Sequence, residues 1–540
     1  MKRRYLLFLF LLGVGVTYAA AGYQNTPGYM DADYYFAGGM RLSAGEGFTE
    51  VTLWNYLDDP NELPHPSHAY WMPLASIVAW VGIKAGVFLT PFEAAQSVFV
   101  LIAGMVPPVT AALAYSLTGK QGLAGLAGVL AVFSGFYLPY LATTDTFGLY
   151  MLLGGTFFLL MGENRDMRTW HYIVLGAIAG LMHLARADGV IWLVIAWCGV
   201  IGFNLDFSGE KKSTAAASRP RILANRGVLV NFLFIFTGYL IVMGPWFARN
   251  MIEFGIPLTT GGARTLWLTK YNELFSYPAD LLTPAHWWRS GLGTILLERL
   301  YALGQHLQTF IAVQGSIFLS PLIVIGVWKF RNDTRVQLAV MAWLLTLASM
   351  SLLFPFTGVN GGFFHSGAAM QPMLWALAPV GLSKSIHWIG QRRKWNIPEA
   401  TNVFRSGIVV LAIGLSSLLF FQKMVGDDLS TPKWDSYYLE YAALNSELIQ
   451  LGAIPEDVVL VINPPGFNLA SSRPAIVIPN GDVDTLLAVA RAFGTNYVLL
   501  ENDHPLGLEA LYKEPGDRAG LEYLGEFQHT QIYKIDMDEK

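Results

Sequence analysis

The chain has 540 residues, of which 53% are hydrophobic and only 14% charged, with a mean hydropathy of +0.41. A soluble surface needs roughly a quarter of the residues charged, so an ordinary soluble enzyme is excluded. The net charge of −4 gives no basis for a nucleic-acid partner, and the single cysteine, Cys198, excludes an intrachain disulfide or a multi-cysteine zinc site.

Met1-Lys-Arg-Arg leads into an apolar run at 5–22. Ala19-Ala20-Ala21 resembles a signal-peptide cleavage site, but the apolar segments that follow favour an uncleaved first span. Further runs suited to a bilayer core of roughly 30 Å lie at 71–89, 94–117, 122–140, 146–162, 171–186, 188–204, 228–247, 309–328, 336–355, 367–384 and 405–422. The expected fold class is a polytopic α-helical membrane protein over 1–425. Basic residues mark cytoplasmic loops, here Lys2 to Arg4, Lys211 to Arg226, Lys329 to Arg335 and Lys384 to Arg405. The loops 23–70, 249–308 and 355–366, and everything after 423, are then expected outside. One conflict follows. Eight segments precede the loop at 249, whereas an inside N-terminus requires an odd number, so one segment is re-entrant or two share a crossing, with 171–204, interrupted at Arg186-Ala-Asp188-Gly, and 71–117 as the two places where this could occur.

After Thr431-Pro432 the composition changes. Val458–Ile462, Ala475–Ile478 and Tyr497–Glu501 read as short buried strands and Asp484–Phe493 as a helix, giving a soluble α/β domain over 430–540. The Ile462-Asn-Pro-Pro-Gly-Phe467 stretch reads as a tight turn after a strand, with an acceptor contact as the alternative. Lys211–Arg226 reads as a flexible basic connector.

The first loop carries Asp31 and Asp33 at the membrane–water boundary, before a helical pattern over Tyr34–Ala44. On a helix Asp31 and Tyr35 share a face and Asp31 and Asp33 do not. Two readings stand: the carboxylates cap the helix, or they serve a membrane-rim site, where ionisable groups usually have a purpose. Downstream come Pro64-His65-Pro66-Ser67-His68, Thr144-Asp145, Leu184-Ala-Arg186-Ala-Asp188-Gly189, Gly244-Pro245-Trp246-Phe-Ala-Arg249-Asn250 with Phe254-Gly255-Ile-Pro257, and Phe364-His365-Ser-Gly-Ala-Ala-Met-Gln-Pro372.

This order of motifs resembles the GT-C superfamily of polyprenyl-phosphate-dependent glycosyltransferases, above all protein O-mannosyltransferases and the lipid A aminoarabinose transferase. Asp31 matches the Asp of the family's Asp-Glu motif and Tyr35 its aromatic. Ala32 stands where the Glu is usual, with Asp33 one position later, and Asp188 replaces a Glu. The resemblance implies a GT-C fold, inverting transfer of a sugar from a polyprenyl-phosphate donor, and an acceptor that is a protein, lipid or glycan on the outer face of the cell membrane. It implies Asp31, or else Asp33, as catalytic base, and Arg249 on the donor phosphate, with His365 and Arg264 as further phosphate candidates. Tyr35, His65, His68, Asp145, Arg186, Asp188 and Asn250 complete the candidate site. No cofactor is firmly implied. A divalent metal held by His65 and His68 with one of the Asp residues is the metal reading, set against ordinary local hydrogen bonding. For Arg186 and Asp188 an ion pair pinning two helix halves competes with a direct role. The aromatic residues Trp267, Tyr271, Tyr277, Trp287 and Trp288 either anchor the 258–308 loop at the headgroups or fold over the donor. The rival function is a transporter or lipid-linked sugar flippase, which would show matched broken helices in two halves; no such repeat is visible.

Overall fold

A computed structural model describes residues 1–162, 168–204 and 226–536. The connector at 211–225 lies outside the described residues. The protein is a multi-pass helical membrane protein with a β-containing domain at its C-terminus. Among the described residues six helical stretches are long and apolar enough to cross a bilayer: Arg3–Ala21, Pro91–Thr118, Gln121–Leu141, Gly227–Glu253, Thr334–Leu353 and Ile397–Val425.

In chain order the longer helices are α1 (Arg3–Ala21), then, after the loop helix α2 (Met30–Ala44), α3 (Leu74–Ala85), α4 (Pro91–Thr118), α5 (Gln121–Val132), α6 (Phe147–Leu160), α7 (Thr169–Ala185), α8 (Ile191–Asn204) and α9 (Arg226–Glu253). They continue with α10 (Leu292–Thr309), α11 (Ser320–Lys329), α12 (Thr334–Ala348), α13 (Gln371–Arg393) and α14 (Ile397–Phe420). The span expected at 309–328 is discontinuous: α10 runs on through a π turn to Gln314, and the chain breaks before α11.

The parity conflict resolves at α3. Its 12 residues reach about 18 Å, short of a bilayer core of roughly 30 Å. Its far end also returns to where α4 begins: a Cβ on Gly86 would lie 2.4 Å from Ala94 Cβ. Gln96, near the start of α4, reaches Gln24 O just beyond α1, at 3.4 Å. Both ends of α3 therefore lie on one side, and 71–89 does not cross. The short helix α6 does cross. It starts beside Asp145, and its far end meets Arg335, whose guanidinium also holds Ser116 at the other end of α4, at 2.8 Å. With α3 and the loop helix α2 set aside, the labelled helices up to Asn250 among the described residues are α1, α4, α5, α6, α7, α8 and α9, an odd number.

Helix pairs approach closely through glycine. A Cβ on Gly176 of α7 would sit 1.8 Å from Ile235 O of α9, and one on Gly238 of α9 would sit 1.9 Å from Ile173 O of α7. Small residues of this kind let membrane helices pack backbone to backbone.

The first loop contributes β1 (Thr49–Glu50), β2 (Thr52–Leu53) and β3 (His65–Pro66). β1 and β3 pair antiparallel, but β2 leaves them and joins the C-terminal sheet. That sheet has the order β2-β5-β4-β6-β8-β7, with β4 (Val458–Val461), β5 (Ala475–Val477), β6 (Thr495–Leu500), β7 (Leu521–Phe527) and β8 (Thr530–Ile535). β2, β5, β4 and β6 run parallel, and β8 and β7 close the far edge antiparallel. Helices α15 (Ser436–Gln450), α16 (Pro464–Ser471) and α17 (Val483–Phe493) accompany it. The stretch expected to be a turn at 462–467 is the start of α16, with Asn463 as its cap.

Candidate active site

Four chain segments converge where the helices meet the loops. α2 begins after Tyr29 and ends at Gly45 in the left-handed conformation (φ 88°), and Asp31 and Asp33 occupy its first turn. There their charges oppose the positive end of the helix dipole. The 143–146 segment lies alongside: Thr144 Oγ1 donates to Ala32 O (2.8 Å) and Thr143 Oγ1 to Pro27 O (2.9 Å). His365 comes from the broken stretch before α13, and Arg186 from the break between α7 and α8.

His365 is the hub. Its Nδ1 lies 3.0 Å from Gly361 O, so that nitrogen carries a proton. Its Nε2 faces two carboxylates, Asp145 Oδ2 at 3.1 Å and Asp31 Oδ2 at 3.7 Å. The ring stacks on Phe147 with centroids 4.1 Å apart. Asp145 also accepts from Tyr29 Oη and from the Thr146 backbone N–H, and from Thr146 Oγ1 at 3.0 Å. Burial pushes the Asp145 carboxyl up, but the charge and hydrogen bond of His365, with those from Tyr29 and Thr146, outweigh it and hold the pKa below the usual range. Burial alone would lower His365; the Asp145 carboxylate holds it above its ordinary value instead.

Asp31 differs in one decisive respect. Its side chain keeps 28% of its surface open, whereas that of Asp145 keeps 0%. Its pKa is pushed up to about 6 by burial and by Asp145, against the lowering charges of His365 and Arg186. Asp33 points away from this cluster. It accepts from Asn463 Nδ2 at 3.2 Å and from the Gly28 N–H, and burial raises it to about 7 against those bonds.

Arg186 pairs with Asp188 (Nε–Oδ1 3.1 Å), and its Nε also reaches Ser366 Oγ at 3.2 Å. Among the described residues its two terminal nitrogens have no hydrogen-bond partner. Its charge acts on Asp31, Asp145 and Tyr35, and Tyr35 is buried beside them.

The other residues expected at the site lie apart. The Arg249 guanidinium stacks 4.9 Å from the Trp246 ring and 5.1 Å from that of Phe254, and it donates to Phe48 O at 3.0 Å. Asn250 donates to Pro257 O at 3.2 Å, which explains the Arg-Asn…Phe-Gly-x-Pro spacing as a clasp on the end of α9. Arg264 bonds Leu57 O (2.7 Å) and Asp59 (2.6 Å). His65 pairs with Asp58 at 2.7 Å. Both ring nitrogens of His68 are engaged, by Ser67 at 2.8 Å and Ser76 at 3.0 Å, and burial holds it neutral, near 3. Among the described residues, Asp31, Asp145 and His365 have donor atoms that all lie within 4.8 Å of one another, close enough to hold a metal ion. Sequence reasoning gave Tyr29 and Ser366 no role, although each stands within two positions of a candidate residue, and it named the 462–467 stretch only as a turn or an acceptor contact; their partners Asp145, Arg186 and Asp33 lie 116 to 430 positions away.

The bundle of membrane helices topped by a C-terminal β-containing domain is the fold class expected from the sequence. Two solved structures share it. ArnT from Cupriavidus metallidurans bound to undecaprenyl phosphate is similar over 100% of this chain and 99% of its own, with TM-score 0.56 at 12% identity. The Archaeoglobus fulgidus oligosaccharyltransferase, in complex with Zn and sulfate, is similar over 94% of this chain and 69% of its own, with TM-score 0.55 at 13% identity. No protein-family model matches the chain, and no curated protein matches it in sequence.

Proposed function

We propose that the protein is a membrane glycosyltransferase that moves a sugar, with inversion, from a polyprenyl-phosphate donor to an acceptor hydroxyl on the extracytoplasmic side. The observation that carries this reading is the open carboxylate of Asp31 set against buried Asp145 and His365 and half-buried Arg186. The shared fold with an undecaprenyl-phosphate-bound ArnT supports a polyprenyl lipid as the donor's carrier. The side is argued from charge: Lys2 to Arg4 and Lys329 to Arg335 lie at the opposite end of the bundle from the site.

In the reaction, Asp31 takes the proton from the acceptor hydroxyl as its oxygen attacks the anomeric carbon. The bond from that carbon to the phosphate oxygen breaks, and its electron pair leaves with the phosphate. Arg186 is assigned the role expected of Arg249: among the described residues its two terminal nitrogens have no partner, which suits them to hold phosphate oxygens as negative charge grows there. Asp145 fixes His365, and Tyr29 and Thr146 fix Asp145. Arg249 and Arg264 brace the loop around the site.

The donor set also fits a divalent cation. With Nδ1 committed to Gly361 O, His365 Nε2 needs either a second proton or a cation, because a bare lone pair would oppose two carboxylates. Asp31, Asp145 and His365 would hold such an ion, which when bound supplies positive charge for the departing phosphate.

The test is purified wild type against Asp31→Asn, offered a panel of undecaprenyl-phosphate-linked hexoses and pentoses. We expect kcat to fall by about 100-fold or more with undecaprenyl phosphate binding unchanged. Transfer that survives the substitution removes Asp31 as base. Absence of wild-type turnover and of lipid binding across the panel removes the reading itself and favours a transporter.

A further inference from the structure

The C-terminal domain reaches into the turn that carries Asp31. Asn463 Nδ2 donates to Asp33 Oδ2 at 3.2 Å across 430 residues of chain. The other end of the same amide accepts from Gly466 N at 3.1 Å, capping α16, and Asn463 O accepts from Phe467 N at 3.0 Å. Pro464 and Pro465 have no N–H, so this one residue satisfies the first donors of the helix. Its orientation is thereby fixed: the cap takes the oxygen and leaves the NH2 for Asp33.

The approach depends on Gly466. A Cβ there would lie 2.9 Å from Asp33 Oδ2 and 2.4 Å from Asn463 Nδ2, too close for either to stay. Neighbouring contacts hold the same loop. Asp435 accepts from the backbone N–H groups of Asn25 and Thr26, both at 3.0 Å, and Trp434 Nε1 donates to Thr26 O at 3.1 Å. β2 pairs with β5, and Tyr56 Oη donates to Val477 O. The domain thus grips the segment before α2, its first turn and the loop after it.

We propose that Asn463 is a positioning residue for transfer: through Asp33 it holds the first turn of α2, and with it Asp31, at the height of His365 and Arg186. The inference rests on the glycosyltransferase reading for its effect on rate, but the Asp33–Asn463 coupling stands apart from it. Asp33 is then a docking carboxylate, and Asp31 is the one that meets substrate.

Three variants of the full chain test it: Asn463→Asp, Asp33→Asn, and the two together. Asn463→Asp keeps an oxygen for Gly466 N but loses the donor and faces a second carboxylate. We expect kcat to fall by about 10-fold or more, with the KM for an undecaprenyl-phosphate sugar within about 2-fold of wild type. The double variant restores one amide and one carboxylate with their roles exchanged, and should recover at least half of the lost rate on a logarithmic scale. Thermal unfolding in detergent gives a readout independent of substrate: Asn463→Asp should lower Tm by about 2 °C or more and the double variant should restore most of it. Wild-type kcat in Asn463→Asp overturns the proposal. So does a double variant no better than its worse parent in both rate and Tm, which would make Asp33 a reacting group or Asn463 a cap alone. If wild type turns over no donor, the Tm cycle alone decides whether the coupling exists.

Discussion

Asp31 and Asp33 leave their helix about 200° apart, and the two sides of α2 are different places. One side meets Asp145, His365 and Arg186; the other meets the C-terminal domain. That the two carboxylates do not share a face was legible in the sequence, from the helical period alone. Which face holds the chemistry was not, because it depends on residues 114 and more positions away. The same limit explains the arginines. The motif around Arg249 is the most specific in the chain, yet its residues satisfy one another, Asn250 with Pro257 and Arg249 with two aromatic rings. Arg186 sits in a plainer stretch and faces Asp31. Arg186→Ala should therefore reduce kcat by about 100-fold or more with the protein still folded, a loss typical of removing one group that stabilises transition-state charge. Arg249→Ala should act mainly on stability, read as a lower Tm with kcat reduced less than in the Arg186 variant. Equal losses of kcat in both would return the phosphate to Arg249.

At the scale of elements, apolar runs marked most of the helices to within a few residues, and the strands β4, β5 and β6 and the helix α17 stood out by burial pattern and turn residues. The failures have common causes. α3 carries a span-like composition, but its length and its glycine contact with the start of α4 turn it back. β2 is two residues long and pairs with a strand more than 400 positions away, so no local pattern announces it. The α7–α9 pair shows what element packing does for the site. α7 ends at Arg186 and α9 carries Asn250 in its last turn, and their backbones touch at Gly176 and Gly238. Gly176→Val would force them apart against Ile235 O. We expect lower folded yield and, in the folded fraction, kcat reduced by more than 10-fold, since small displacements of catalytic groups are costly. A variant with normal yield and rate would mean that the pair does not set the position of Arg186.

Across the whole molecule, the carboxyl of Glu501 marks how the C-terminal domain is seated. It accepts from Tyr441 Oη at 3.3 Å and from Ile462 N at 3.1 Å, just ahead of Asn463, and burial pushes it up to about 7. An unfolded Glu titrates at about 4.3, so the folded domain binds this proton more tightly. The stabilisation it gives is complete below about pH 4 and is lost as the pH rises through about 7. Tm should therefore fall between pH 5 and 8, and Glu501→Gln, which keeps an accepting oxygen, should flatten that slope. An unchanged slope would place the linkage elsewhere. The strand exchange between the first loop and the C-terminal sheet has a further consequence, for the time at which the folded protein comes into being. Tyr56 and its partner Val477 are 421 residues apart. At roughly 5–20 residues per second, a ribosome needs about 20 to 80 s to make the second after the first. Through that interval Thr52 and Leu53 have no strand to join and Asp33 has no Asn463, so a nascent chain already threaded through the membrane would carry Asp31, Asp145, Arg186 and His365 and still lack the contacts that seat the first turn of α2, until its last domain closes over the first loop.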